Sequence, residues 1–146
     1  MLESDRELAD LLRSSRTIAA LGIKPESRAH KPAHYVPRYL ADVGYQIIPV
    51  PVYYPEVEQI LGQRVYRSVA SIPGAVDVVV VFRRPEQLMP HLPDLLGKRP
   101  RAVWLQTGIR HDVAARLLAE AGILLVQDRC MMVEHERLLG ANKKTR

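Results

Sequence analysis

Short apolar runs separated by amphipathic segments constrain the fold of this chain more than any other feature. The strongest run is VDVVVVF, Val76–Phe82, which contains five valines and almost no alternation of polar and apolar residues. A strand that is covered on both faces has this composition. Such strands, when they alternate with helices, indicate a parallel sheet with helices on both of its faces.

Four further runs are predicted as strands: Thr17–Leu21, Tyr45–Val50, Ala102–Gln106 and Ile123–Val126. Pro49 lacks an N–H group, so it is placed at the exit of its strand. Amphipathic spacing and turn residues predict the helical segments. These are a leading helix with Leu8, Leu11 and Leu12 on one face, then Pro32–Val43, one or two turns at Glu56–Leu61, Pro85–Leu96 with a break at Pro90 and Pro93, His111–Ala121, and Met131–Leu139.

The pattern as a whole predicts an α/β fold: a single doubly wound Rossmann-like domain with about five parallel strands and helices on both faces. The strand order is left open. Residues 1–146 are expected to form this one domain, with a core at 15–139 and a basic C-terminal tip at 141–146.

Composition limits the classes of partner. Lys plus Arg exceed Asp plus Glu by 21 to 16, a modest basic excess that fits an anionic ligand. No apolar run reaches the roughly 18 residues that a membrane span needs, so no membrane partner is expected. The single cysteine, Cys130, excludes an intrachain disulfide, and a cytoplasmic location is therefore expected.

Basic residues follow several of the predicted strands. Ligands of an open parallel sheet bind outside the carboxyl ends of the strands, which here are the segments 22–31, 50–54, 82–84 and 106–108. These segments carry the basic residues Lys24, Arg28, Lys31, Arg83 and Arg84. A ligand with phosphates is indicated, and backbone N–H groups at the helix start near Pro32 would favour it further.

Known nucleotide fingerprints fit this loop poorly. NAD needs G-x-G-x-x-G and an acid at the end of the second strand, but the loop after the first strand offers one glycine, Gly22, and the second strand ends in Val50-Pro51-Val52. NADP stays open only because basic residues would suit its extra phosphate. A Walker loop for ATP is absent from the sequence.

Six blocks in order resemble the bacterial CoA-binding protein family. They are LGIKPESRAHKPAHYVPRYL, GYQIIPVPVYY, ILGQRVYRSVASIP, VDVVVVFRRPE, AVWLQTGI and DRCMMVEHERL, and they span about Ser15 to Leu139. The fold of that family is similar to the N-terminal domain of the succinyl-CoA synthetase alpha subunit. The resemblance implies a stand-alone Rossmann-like domain that binds coenzyme A, which carries a diphosphate and a 3′-phosphate.

The resemblance also implies a set of contact residues. Gly22, Ile23 and Lys24 would form the turn under the diphosphate, with Arg28, Ala29, His30 and Lys31 around the phosphates. Val50 and Pro51 would lie on the adenine side, Phe82 and Arg83 over the nucleotide, and Gln106 and Gly108 nearer the pantetheine. The chain departs from the family at Ala33, where relatives usually carry serine, and at Lys24, where small or hydroxyl residues are common.

Other polar residues are interpreted as structural. Cys130 near His135 has no orienting acid, and His30 with His34 has no third ligand, so neither a nucleophile nor a metal site is predicted. Glu134, His135 and Glu136 are expected on a solvated helix face. Tyr53 and Tyr54 fit either stacking on an adenine or covering the sheet edge, of which the second is favoured, and Trp104 is expected in the core.

Three functions remain open from the sequence. The first is a CoA-binding or acyl-CoA-binding module without catalysis, because no catalytic constellation is visible. The second is a subunit or partner of an enzyme in CoA-thioester chemistry. The third is nucleic-acid binding through the basic surface, which the absence of a recognised motif and an aromatic content of 5% make a poor fit.

Overall fold

The computed structural model describes residues 1–140, and the predicted basic tip at 141–146 lies outside them. The strands are β1 Thr17–Leu21, β2 Gln46–Val50, β3 Gln59–Ile60, β4 Gln63–Arg64, β5 Val78–Val81, β6 Ala102–Leu105 and β7 Leu124–Val126. Five of them form one parallel sheet in the order β2-β1-β5-β6-β7, which confirms the predicted fold class. Among the described helices, none combines the length and apolarity that crossing a bilayer requires.

The helices cover the sheet from both sides. They are α1 Asp5–Ser14, α2 Pro32–Asp42, α3 Leu92–Lys98, α4 Asp112–Glu120 and α5 Met131–Leu139. Residues of α1, α2 and α5 pack with Val78, Val80 and Trp104 in one core, while those of α3 and α4 pack with Val79 and Val81 in the other. All four valines of β5 are fully buried, as the absence of alternation predicts, and Trp104 is a core residue.

The prediction of helical turns at Glu56–Leu61 is wrong. This segment enters a short antiparallel hairpin, in which β3 and β4 are joined by Leu61 and Gly62. Both joining residues have positive φ, 55° for Leu61 and 73° for Gly62, as a type I′ turn requires. The twist of such a turn matches paired strands, and this local geometry overrides the helical pattern.

The helical segment after β5 is interrupted, as its prolines predict, whereas Pro49 does not lie where the sequence placed it. The segment after β5 consists of two 3-10 turns, Pro85–Gln87 and Met89–His91, and α3 begins only at Leu92. Pro49 lies inside β2 rather than at its exit. It is tolerated there because β2 is an edge strand of the sheet.

The expectation of a solvated face at Glu134 and His135 is wrong. Glu134 is 7% exposed and His135 is fully buried. The Glu134 carboxylate accepts hydrogen bonds from Arg129 at 2.9 Å and from Arg137 at 2.8 Å, and His135 Nδ1 lies 2.9 Å from the Tyr39 hydroxyl. Two arginines close in sequence allow Glu134 to be buried, and the tertiary contact with Tyr39 of α2 does so for His135.

Candidate functional site

The strand order reverses between β1 and β5, and Gly22 lies at this point. In the sheet, β2 lies on one side of β1 and β5 lies on the other. Gly22 has a φ of +89°, and a Cβ atom there would lie 2.6 Å from the carbonyl oxygen of Phe82. Only glycine allows the two chain segments to approach this closely, and such a crevice is where open α/β sheets bind ligands.

The backbone of Lys24 is fixed by α2. The N–H of Lys24 donates to the carbonyl oxygen of Ala33 at 3.0 Å. Within a regular helix the N–H of residue 37 would donate to this oxygen, but Pro37 has none. The ring of His34, which is 2% exposed, donates from Nδ1 to the Lys24 carbonyl at 2.8 Å. The first turns of α2 therefore hold both polar backbone groups of Lys24.

The far end of the same loop is tied to the hairpin. A 3-10 turn runs from Glu26 to Arg28, and the Glu26 carboxylate accepts from the N–H of Leu61 at 2.7 Å. The Glu26 carboxylate therefore binds a backbone N–H of the hairpin turn. The loop after β1 is therefore anchored at Lys24 and again at Glu26.

Two clefts flank Lys24 at this edge of the sheet. The smaller cleft, of about 140 Å³, is lined by Gly22, Ile23, Lys24, Val52, Tyr53, Tyr54, Arg83, Arg84 and Gln87. The larger cleft, of about 440 Å³, is lined by Lys24, Lys31, Pro32, Ala33, Tyr35, Val36, Phe82, Gln106, Thr107, Ile109 and Cys130. Lys24 lines both clefts and therefore stands between them.

The larger cleft is mostly apolar and carries one oriented amide. Gln106 is 6% exposed, and its Oε1 accepts from the N–H of Met131 at 2.8 Å. Because Gln106 Oε1 already accepts from Met131, its amide donor Nε2 is the group left for a ligand. Nε2 has no hydrogen bond within residues 1–140. Cys130, the residue before α5, is partly buried and lines the same cleft.

The smaller cleft contains a cation held against an aromatic ring. The guanidinium carbon of Arg83 lies 5.5 Å from the ring centre of Tyr53. Tyr53 is 60% exposed and belongs to this cleft, whereas the sequence suggested that it covers the sheet edge. Arg83 Nε donates to Nε2 of His91 at 3.1 Å, and burial, reinforced by the Arg83 charge, lowers the pKa of His91.

The predicted contact residues divide into two groups. Those lining at least one of the two clefts are Gly22, Ile23, Lys24, Lys31, Phe82, Arg83 and Gln106. Those outside both clefts are Arg28, Ala29, His30, Val50, Pro51 and Gly108. Arg28 and His30 are exposed, and Val50 and Pro51 are buried. Gly108 donates its N–H to Asp128 Oδ1 at 2.6 Å.

Sequence reasoning missed several lining residues. Val36 lies on α2, which was predicted correctly, and Ile109 lies in the loop between β6 and α4, but no local signal shows that these apolar side chains face a cleft. Cys130 was interpreted as a structural residue. His91 was not considered, because its contact with Arg83 depends on how two consecutive 3-10 turns fold back towards β5.

Most of the chain is similar to known proteins. A family profile described as a CoA binding domain matches residues 16–136. The chain is similar to the uncharacterised protein YneT of Bacillus subtilis (strain 168), with 33% identity over 132 residues that cover 90% of this chain and 94% of that protein. It is also similar to the structure of cell-free ID.343 from Thermus thermophilus, with a TM-score of 0.86, 45% identity, and coverage of 94% of this chain and 100% of that one.

A more distant structure shares the fold alone. A dinucleotide-forming acetyl-coenzyme A synthetase 1 from Ca. Korarchaeum cryptofilum matches with a TM-score of 0.62 and 16% identity, covering 80% of this chain and 27% of that one. The family match, by contrast, spans most of the chain and confirms the resemblance seen in its sequence blocks. The chain belongs to the family of CoA binding domains.

Proposed function

We propose that this chain binds coenzyme A, or an acyl-CoA, at the C-terminal edge of its sheet, as a binding module without catalysis of its own. The diphosphate would lie against Lys24, Lys31 and the start of α2. The nucleotide end would occupy the smaller cleft, and the pantetheine arm would follow the larger one.

The position of Lys24 carries this proposal. Its side chain stands between a cleft with a guanidinium and an aromatic ring and a cleft that is mostly apolar. A ligand that matches both has negative charge in its middle, an aromatic base at one end and an uncharged arm at the other. Coenzyme A has these three parts in this order.

The extent of the larger cleft fits an elongated arm. Its lining runs from Lys24 and Lys31, after β1, through Phe82, after β5, to Gln106, after β6, and Cys130, beyond β7. Strands are spaced by about 4.8 Å, so the distance from β1 to β7 across the sheet is roughly 14 Å. The free amide donor of Gln106 would meet a carbonyl of the arm, and the thiol end would lie near Cys130.

The absence of catalysis is supported by the surroundings of Cys130. Its Sγ atom has no hydrogen bond to a ring nitrogen or a carboxylate within the described part of the chain, whereas an activated nucleophile needs such a base. Having a single cysteine, the chain forms no internal disulfide, which supports the proposal of a cytoplasmic protein. Contacts from Arg28, His30 and Gly108, which lie outside both clefts, stay predictions.

Calorimetric titration of the purified protein tests the proposal. CoA, dephospho-CoA, NAD, NADP and ATP are compared at one salt concentration. We expect the tightest binding with CoA, and a loss of about 10-fold or more in Lys24→Ala or Lys31→Ala, because each removes a charge-assisted contact worth roughly 1.5–3 kcal/mol. Arg38→Ala is the matched control, since it removes an exposed cation of α2 that lines neither cleft.

The outcomes are distinct. No heat with CoA, or equal losses in Lys31→Ala and Arg38→Ala, contradicts the proposal. Tighter binding of NADP would assign the site to that nucleotide. DNA binding with a steep salt dependence and no nucleotide binding would favour the nucleic-acid function instead.

A further inference from the structure

The side chain of Arg83 is held on two sides. Its Nε group donates to His91 Nε2 at 3.1 Å, and its guanidinium lies over the ring of Tyr53, with 5.5 Å between the guanidinium carbon and the ring centre. Arg83 and His91 are both partly buried. A long side chain that is fixed in this way has already lost much of its rotamer freedom before a ligand arrives.

The hydrogen bond defines the state of the His91 ring. A guanidinium can only donate, so His91 Nε2 must be unprotonated and the ring proton must lie on Nδ1. Burial and then the charge of Arg83 lower the pKa of His91, while Asp94 acts in the opposite direction. At neutral pH the ring is therefore a neutral acceptor for Arg83.

The hydrogen bond to His91 occupies only Nε of Arg83 and leaves the two terminal NH2 groups available to a ligand. The terminal NH1 and NH2 groups of Arg83 have no hydrogen bond among residues 1–140, and the side chain lines the smaller cleft beside Gly22 and Lys24. Paired terminal N–H groups match the oxygens of a phosphate, which a guanidinium binds in a bidentate manner.

We propose that His91 is the positioning residue for Arg83, and that through Arg83 it sets the affinity of the smaller cleft for a phosphate-bearing ligand. The inference rests on the proposed function for the identity of that ligand. His91 itself lines neither cleft, so its effect must pass through the guanidinium. Tyr53 holds the other face of the same group.

The experiment measures Kd for CoA, and for inorganic pyrophosphate as a smaller probe, in His91→Leu and His91→Gln. Leucine removes the acceptor, so we expect Kd to rise by about 2- to 12-fold, as the loss of one hydrogen bond predicts. Glutamine places a neutral oxygen close to the former Nε2, so Kd should stay within about twofold of the wild-type value. Both substitutions are repeated with Arg83→Met, where His91→Leu should have no further effect.

A titration without ligand tests the contact itself. The NMR resonances of the His91 ring are followed against pH in the wild-type protein and in Arg83→Met. Because the Arg83 charge helps to lower the pKa of His91, we expect that pKa to rise when the charge is removed. A purely structural role of His91 would not produce this rise together with rescue by glutamine.

The results separate this inference from the proposed function. Normal CoA binding in His91→Leu, or the same loss in the presence and absence of Arg83, overturns the inference and leaves the proposed function intact. Binding of pyrophosphate without binding of CoA overturns the proposed function, and the inference is then decided by the pyrophosphate values. If neither probe binds, or if the pKa of His91 does not change in Arg83→Met, the inference is wrong.

Discussion

Substitution of Gly22 by alanine should destabilise the protein more than the same substitution at Gly122. The two glycines have similar backbone angles, with φ of +89° at Gly22 and +81° at Gly122. They differ in their surroundings: a Cβ at Gly22 would lie 2.6 Å from the Phe82 carbonyl oxygen, whereas one at Gly122 would have no atom within 4 Å. Comparing the two alanine variants therefore separates the cost of positive φ from the cost of the clash with Phe82.

The expected magnitudes follow from this difference. Positive φ costs an alanine about 1–2 kcal/mol at either position. At Gly22 the clash adds roughly 1–3 kcal/mol, because the obstructing atom belongs to a backbone that is fixed by the bond from Phe82 N–H to Leu21 at 2.8 Å. We expect the free energy of unfolding to fall by about 2–5 kcal/mol in Gly22→Ala and by about 1–2 kcal/mol in Gly122→Ala.

Urea unfolding measures this difference without ligand. Trp104 is the single tryptophan and is fully buried, so its fluorescence reports the loss of the core. With a slope near 2 kcal/mol per molar, the midpoint of Gly22→Ala should lie roughly 0.5–1.5 M below that of Gly122→Ala. Equal midpoints with equal slopes would falsify the argument that the two segments approach closely at Gly22.

Three further predictions concern single side chains. Ala33→Ser adds a hydroxyl at the start of α2 in the larger cleft, and calorimetry should show CoA binding tighter by about 2- to 12-fold; unchanged affinity would mean that the hydroxyl does not reach a phosphate. Asp5 accepts hydrogen bonds from Arg137 at 2.8 and 2.9 Å, and these bonds hold its pKa below the ordinary value of 3.8. The stabilisation that they give the folded protein is complete above pH 3.8, and it is lost as the pH falls through the pKa of Asp5 in the folded state. Urea midpoints should therefore show Asp5→Asn less stable than wild type at neutral pH, with a difference that shrinks as the pH falls below 3.8. The Asp94 carboxylate accepts from two backbone N–H groups at 2.7 Å, so Asp94→Ala should cost at least about 1.5 kcal/mol of unfolding free energy, and a smaller loss in urea would contradict this role.

The sheet was predictable because its signal is local. The valines of β5 have no polar alternation, and the run that forms β1 ends at a glycine where the chain must turn. The rule that ligands bind at the carboxyl ends of parallel strands then pointed to the loop with Lys24 and to Arg83. Both lie at the clefts.

The rest depended on contacts between distant segments. The hairpin was missed because leucine, rather than asparagine or aspartate, precedes Gly62 in its turn. Arg28 and Arg83 both follow strands, but only the folded chain shows that Arg28 lies outside both clefts while Arg83 lies within one. Helical spacing could have paired Glu134 with Arg137, three residues later, but the burial of Glu134 depends on how α5 packs against α1.

Pro37 has a consequence for how this protein could be stabilised. Because proline removes one hydrogen bond from α2, the Ala33 carbonyl is left to anchor Lys24. Substitution by alanine would restore a helix donor, which would compete with Lys24 for the same oxygen. We therefore expect a trade-off, in which Pro37→Ala strengthens the helix and loosens the loop that carries Lys24, the lysine that we propose binds phosphate. Selection for thermal stability alone would favour the substitution that weakens ligand binding.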